Sequence, residues 1–214
     1  MKVLSYNLFA PLLGNIKNWY SHIDRIKKIG FEWVYINPIT YPGFSGSLYA
    51  TKDYYKYNPA FFTSSEKDIA EKEIKDFVLY CKNNNIKIMI DLVINHSSKD
   101  CNLVEEHFEW YKLKDGKLES PGAWDNGKWI EWGDLASFNN QKIILNKDNE
   151  EIENPIWNYW NELIKHNLEL GFSGFRCDAA YKVPKELWKY LISNAKKENK
   201  DIIFFAESLG CSME

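Results

Sequence analysis

Ile86-Lys87-Ile88-Met89-Ile90-Asp91-Leu92-Val93-Ile94 is a nearly continuous apolar run. A strand with one wet face alternates apolar and polar residues, whereas a run of this kind suits a parallel strand covered on both faces. Asp91 inside it needs a reason, because a carboxylate taken out of water costs several kcal/mol unless it is paired.

Upstream of this run, residues 3–8 read as a first strand. Trp19, Ile23 and Ile26 recur at helical spacing with Gly30 as a stop, and Phe31–Ile36 forms a second strand ended by Asn37-Pro38. Tyr41 to Phe62 reads as a long loop rich in Gly, Tyr and Ser, too aromatic for disorder. Thr63 and Ser65 each precede an acid three residues later, Glu66 and Asp68, which predicts a capping box opening a helix. That helix carries Ala70, Ile74, Phe77, Val78 and Cys81 on one face.

Downstream, residues 97–154 show no sustained period and read as an inserted subdomain of loops and short strands, with Trp110, Trp124, Trp129 and Trp132 among them. Asn154-Pro155 then opens a helix with Ile156, Trp160, Leu163, Ile164 and Leu168 inside and Gly171 at its end. Phe172–Asp178 is a fourth strand, Pro184 starts a helix that buries Leu187, Trp188, Leu191, Ile192 and Ala195, and Asp201–Glu207 is a fifth strand.

Strands and helices in alternation predict a parallel sheet with right-handed crossovers. Without the insertion about 156 residues remain, and at roughly 31 residues per unit of an eight-unit barrel this makes about five units. The fold expected is α/β: five-eighths of a (β/α)8 barrel, or else a self-contained open sheet. First and fifth strands would then be unpaired edges, a setting for association.

The balance of 27 basic and 30 acidic residues, net charge -3, offers no positive stripe to phosphates, so nucleic acid is not expected as a partner. No apolar run reaches membrane-spanning length, and Met1–Asn7 carries no leader pattern. Cys81, Cys101, Cys177 and Cys211 follow no zinc or redox spacing and read as reduced thiols of a cytoplasmic protein. Nine Trp and thirteen Tyr suit stacking on flat sugar faces, although cores use them too.

Three strand ends carry polar groups: Asp91 with Asn95 and His96, Arg176 with Asp178, and Glu207. In a parallel α/β sheet these ends share the edge where ligands bind. Arg176 and Asp178, two apart on a strand, point the same way; taken alone, such a pair is most often a structural ion pair. Glu207, after Ile203-Phe204-Phe205-Ala206, reads as a buried acid with raised pKa and hence a proton donor, while Arg176 is expected to keep Asp178 ionised. Two carboxylates pushed toward different protonation states are what retaining glycoside hydrolysis requires.

Asp91-Leu92-Val93-Ile94-Asn95-His96, Gly174-Phe175-Arg176-Cys177-Asp178-Ala179 and Phe205-Ala206-Glu207 resemble the first three signatures of the α-amylase family, glycoside hydrolase family 13, in order and spacing. Trp132-Gly133-Asp134-Leu135-Ala136-Ser137-Phe138-Asn139 is similar to the short signature near the end of that family's inserted B domain. The resemblance implies a catalytic barrel made of residues 1–96 and 155–214 and a B-type subdomain at 97–154. It implies Asp178 as nucleophile and Glu207 as general acid/base. Arg176, which orients the nucleophile, His96, which bonds a sugar hydroxyl, and Tyr49, an aromatic platform, form a substrate-binding group with Asp91, which holds the site together.

No cofactor is expected. The family's structural calcium is not predicted, since Ser137 stands where an aspartate ligand belongs, although Asn95 is present. The fourth signature, with a third catalytic aspartate, is absent, so the expectation is the N-terminal part of the barrel, with little turnover by this chain alone. The substrate class implied is α-1,4-linked glucan or maltooligosaccharide, cleaved by double displacement. The alternatives are an α-glucan transglycosylase and a non-catalytic glucan-binding relative.

Overall fold

The computed structural model describes residues 3–146 and 148–209. Strands β1 (Ser5–Leu8), β2 (Trp33–Ile36), β3 (Lys87–Leu92), β4 (Gly174–Cys177) and β5 (Ile203–Ala206) form one parallel sheet in that order. Helices α1 (Tyr20–Lys28), α2 (Lys67–Asn83), α3 (Ile156–Glu169) and α4 (Lys185–Glu198) lie in the four crossovers. With a strictly sequential order, right-handed crossovers carry every helix to the same face, and no strand pair makes the switch point of a doubly wound sheet.

The side chains divide accordingly. Leu8, Val34, Ile36, Ile88, Ile90, Leu92, Phe175 and Cys177 join the helix-side core, which is one continuous cluster. The alternate positions, among them Asn7, Tyr35, Asp91 and Arg176, face the other way. Each helix buries the stripe its spacing predicts: Ile23 and Ile26; Ala70, Ile74, Phe77, Val78 and Cys81; Ile156, Trp160, Leu163 and Ile164; Leu187, Leu191 and Ala195. Each large apolar side chain so buried contributes about 1.5–3 kcal/mol. Leu168, Trp188 and Ile192 are half-buried at the margins of their stripes.

Three local expectations are corrected. Tyr41 to Phe62 is not simply a loop: Thr40–Pro42 pairs antiparallel with Thr51–Tyr57. Two register shifts bend this hairpin, so its buried residues Thr51, Tyr54 and Tyr57 come every third position and hide the period of two expected of a strand. The capping box is also absent, because α2 starts at Lys67 and its first residues receive no side-chain cap from Glu66. Thr63 instead turns to Glu73, donating its N–H to Oε2 (3.0 Å) and its hydroxyl to Oε1 (2.5 Å). Finally, the fifth strand, an edge among the described residues as expected, does not bury its end; Phe205 is 61% exposed.

Residues 97–154 fold as short strand pairs with a short α-helix, Asn102–Glu106. Leu135–Ser137 returns to pair with His96–Ser98, and Leu113–Lys114, Gly122–Asp125 and Ile143–Leu145 pair with Lys117–Leu118, Lys128–Glu131 and Glu151–Glu153. Asp115-Gly116 and Asn126-Gly127, with positive φ at both residues, close two of them as two-residue turns whose twist matches the strands. Phe138 packs edge-on against Trp160 of α3 (5.0 Å between centroids), fastening the region to the helix-side core. Asn154 caps α3 as read, its Oδ1 accepting the Ile156 N–H at 3.2 Å. Cys81, Cys101 and Cys177 are buried free thiols, and Cys211 lies outside the described residues. Among the described residues no helix is long and apolar enough to cross a membrane.

Candidate active site

A parallel ladder sets residues of adjacent strands side by side, and Arg176 of β4 lies opposite Asp91 of β3. Its Nη1 donates to Asp91 Oδ1 (3.0 Å) and Oδ2 (3.2 Å) and to Asp178 Oδ1 (2.7 Å), and its Nη2 reaches Glu207 Oε1 (2.9 Å). One guanidinium thus holds three carboxylates. Asp178 shares the face of Arg176 as the two-residue spacing requires, and Glu207 arrives from the end of the neighbouring strand. Ala179, in the left-handed region at φ 43°, turns its N–H to the second oxygen of Glu207 (2.8 Å). A non-glycine residue in that conformation costs roughly 1–2 kcal/mol, which the surrounding contacts offset.

The side chain of Asp91 is fully buried and that of Arg176 14% exposed; both lie behind the wall of the neighbouring cleft. The reason for an acid in the apolar run of β3 is therefore this ion pair. The hydroxyl of Tyr35 also donates to Asp91 Oδ2. Tyr49 stands beside it, its hydroxyl 3.2 Å from that of Tyr35 and accepting from Asn37 Nδ2 (2.9 Å). The guanidinium of Arg176 lies 5.7 Å from the centre of the Tyr49 ring.

One expectation about protonation and one about burial change. Burial, reinforced by the charge of Asp91, pushes Asp178 up to about 6, and Arg176 opposes this without prevailing. The attraction of Arg176, shared with Asp91, does not outweigh the cost of burying the Asp178 carboxylate. Glu207 is not the buried acid expected; its side chain is 29% exposed at the end of an edge strand. Burial raises Asp91 as well, against Arg176 and the Tyr35 bond, and burial together with the charge of Lys182 lowers His96 to about 4. His96 is thus neutral near pH 7. Its Nδ1 meets Asn95 Nδ2 at 3.2 Å, and its buried Nε2 has no hydrogen-bond partner among the described residues and lies 3.8 Å from Asp178 Oδ2.

Asp178, Glu207, His96 and Tyr49 share the wall of a cleft of about 730 Å³, within the range of small-molecule sites. The sequence reading missed Tyr35, Asn37 and Lys182. Tyr35 and Asn37 repeat, at the end of the second strand, the two-residue polar spacing that drew attention to Arg176 and Asp178. Lys182 carries no such signal; its place beside Asp178 comes from the turn at Ala180–Lys182. Asn95 gives its amide nitrogen to the His96 ring, and among the described residues no group of three or more His, Cys, Asp or Glu could hold a metal.

Residues 3–114 match the family model described as glycogen debranching enzyme, glucanotransferase domain. The chain is 26% identical over 192 residues to the oligo-1,6-glucosidase of Bacillus cereus, covering 81% of this chain and 32% of that protein. It is 27% identical over 205 residues to alpha-amylase 2 of Dictyoglomus thermophilum, covering 95% and 33%. It therefore spans about a third of the length of the curated relatives it matches. In fold it is similar to an alpha-amylase from Lactobacillus plantarum, with a TM-score of 0.76 at 23% identity over 96% of this chain and 45% of that one. With more than half of its length inside that family model and its three strand-end motifs gathered around one arginine, the chain belongs to the α-amylase family, glycoside hydrolase family 13.

Proposed function

We propose that the chain supplies the catalytic carboxylates of a retaining enzyme acting on α-1,4-linked glucans or maltooligosaccharides. The observation that carries this reading is the bridging of Asp178 and Glu207 by the one guanidinium of Arg176 at the cleft wall. A shared cation favours the closer carboxylate spacing, about 5 Å, used in double displacement, over the ~6.5–9.5 Å that leaves room for an inverting water. The five βα units are then part of a (β/α)8 barrel, and residues 97–154 are its inserted domain.

In the first step a carboxylate oxygen of Asp178 attacks the anomeric carbon while the bond to the glycosidic oxygen breaks. Glu207 gives its proton to that oxygen, and the leaving chain departs with a hydroxyl. In the second step Glu207, now a carboxylate, takes a proton from water, whose oxygen attacks the same carbon and releases Asp178. The net result is hydrolysis with retention, and the two acids suffice without a cofactor. Arg176 and Asp91 aim Asp178 from behind, His96 offers an unpaired ring nitrogen to a sugar hydroxyl, and Tyr49 underlies the ring.

A second reading has its own support. The family model matched is described as a glucanotransferase domain, and a sugar hydroxyl in place of water in the second step turns the same chemistry into glucan transfer. Incubation with a fluorinated glycosyl fluoride tests both, because both pass through the glycosyl ester. A mass adduct on the peptide bearing Asp178 is expected in a protein that carries the complete barrel, and a peptide left unmodified while that protein remains folded would sink the reading. Product analysis with and without an added sugar acceptor then separates hydrolysis from transfer.

A further inference from the structure

The hairpin of Gly122–Asp125 and Lys128–Glu131 keeps its indoles in water. Trp124 is 72% exposed, Trp129 50%, and Trp132, just beyond, 38%. Contiguous aromatic surface of this kind marks a place where something binds. All three side chains line the cleft that holds Asp178 and Glu207, so the patch continues the space around the carboxylates.

The indoles are built into position. A Cβ on Gly122 would stand 2.4 Å from the Ile130 carbonyl oxygen and 2.7 Å from the Trp129 ring, so only glycine lets that indole lie against the strand. Trp124, opposite Trp129 in the ladder, meets it edge-on at 5.8 Å. Lys182 donates from Nζ to the Gly122 carbonyl (2.8 Å) and lies over the Trp132 ring (5.1 Å). The turn that follows Asp178 therefore anchors the hairpin.

We propose that Trp124 and Trp129 form a platform for the sugar units of an extended α-glucan beyond those held at Asp178 and Glu207, and so set the preference for chain length. The inference rests on the reading of the cleft as α-glucan-active. Pyranose rings present flat C–H faces that stack on aromatic rings, and an extended chain is the occupant that could meet the carboxylates and the indoles in one continuous cleft.

The test is calorimetric titration of the full chain carrying Asp178→Asn, so that nothing turns over, with maltose, maltotriose and maltoheptaose. Maltoheptaose is expected to bind more tightly than maltose. Adding Trp124→Ala or Trp129→Ala should raise the Kd for maltoheptaose about 3- to 10-fold and leave that for maltose unchanged, the scale of one aromatic stacking contact. Trp124→Phe and Trp129→Phe should restore most of the affinity. If Trp129→Ala unfolds, Trp124→Ala, which removes the more exposed indole, decides. Unchanged binding in the Trp variants, or an equal loss at every chain length, would overturn the platform alone. Failure of every glucan to bind the Asp178→Asn chain would overturn the platform together with the function on which it rests.

Discussion

The arginine cluster and the tryptophan hairpin line or back the same cleft, yet opposite physics holds them there. Arg176, Asp91 and Asp178 are charges removed from water, with side chains 14%, 0% and 10% exposed. Trp124 and Trp129 are apolar groups left in it. The first arrangement is stable only while every member has its partner, since an unpaired buried charge costs far more than a surface contact contributes. The second loses little when a member is removed. Substitutions in the cluster should therefore move stability, and those in the hairpin should move binding.

The largest effect is expected from Arg176→Ala, which strands three carboxylates, one of them fully buried. A loss of about 3–5 kcal/mol in urea unfolding is expected. Arg176→Lys should recover only part of it, because a single ammonium cannot fork between Asp91, Asp178 and Glu207. An Arg176→Ala protein within about 1 kcal/mol of the parent would show that the pairs are incidental and break the contrast.

Next come two groups 3.8 Å apart that titrate with opposite sign. His96 is lowered by burial to about 4, below its unfolded value near 6.5, so the unfolded chain binds the extra proton first and stability falls as pH drops from about 6.5 to 4. At 1.36 kcal/mol per unit this amounts to at most about 3 kcal/mol, and His96→Asn should flatten the acid limb of stability against pH. Asp178 is raised by burial to about 6, so the folded chain binds the proton first and stability falls as pH rises through the window from about 4 to 6. Asp178→Asn should therefore stabilise the protein at pH 7 by about 2–3 kcal/mol, a gain that vanishes near pH 4. A constant gain at all pH values would mean that relief of an ionised carboxylate is not its source.

The same contrast explains what could be read beforehand. The run Ile86–Ile94 discloses the sheet because burial on both faces leaves a pattern in one strand, and Asp91 stands out against it. Arg176 and Asp178 share a face by spacing alone. That Asp178 is buried and shares its arginine with Asp91 and Glu207 depends on the register of three adjacent strands, which no single strand discloses; hence the inverted expectation for Asp178. The bent hairpin at Thr51–Tyr57 escaped because its register shifts replace a period of two with one of three. Two hairpins of residues 97–154 carry a signal that can be read: Asp115-Gly116 and Asn126-Gly127 are two-residue turn signals whose strands are too short to show a period.

The smallest effect sharpens the boundary between the two regions. Lys182 spans it, with burial lowering its pKa while its Nζ holds the Gly122 carbonyl beside Asp178. Lys182→Met keeps the length of the side chain and removes the bond, so stability should change by about 1 kcal/mol or less. Hydrogen exchange should nevertheless quicken in residues 122–131 and stay unchanged in β3 and β4, because a hairpin with few buried contacts opens locally when its anchor is lost. Acceleration that spread into the sheet would mean that the hairpin is part of the cooperative core, and the tryptophans could then no longer be treated as a surface that binds without bearing on the fold.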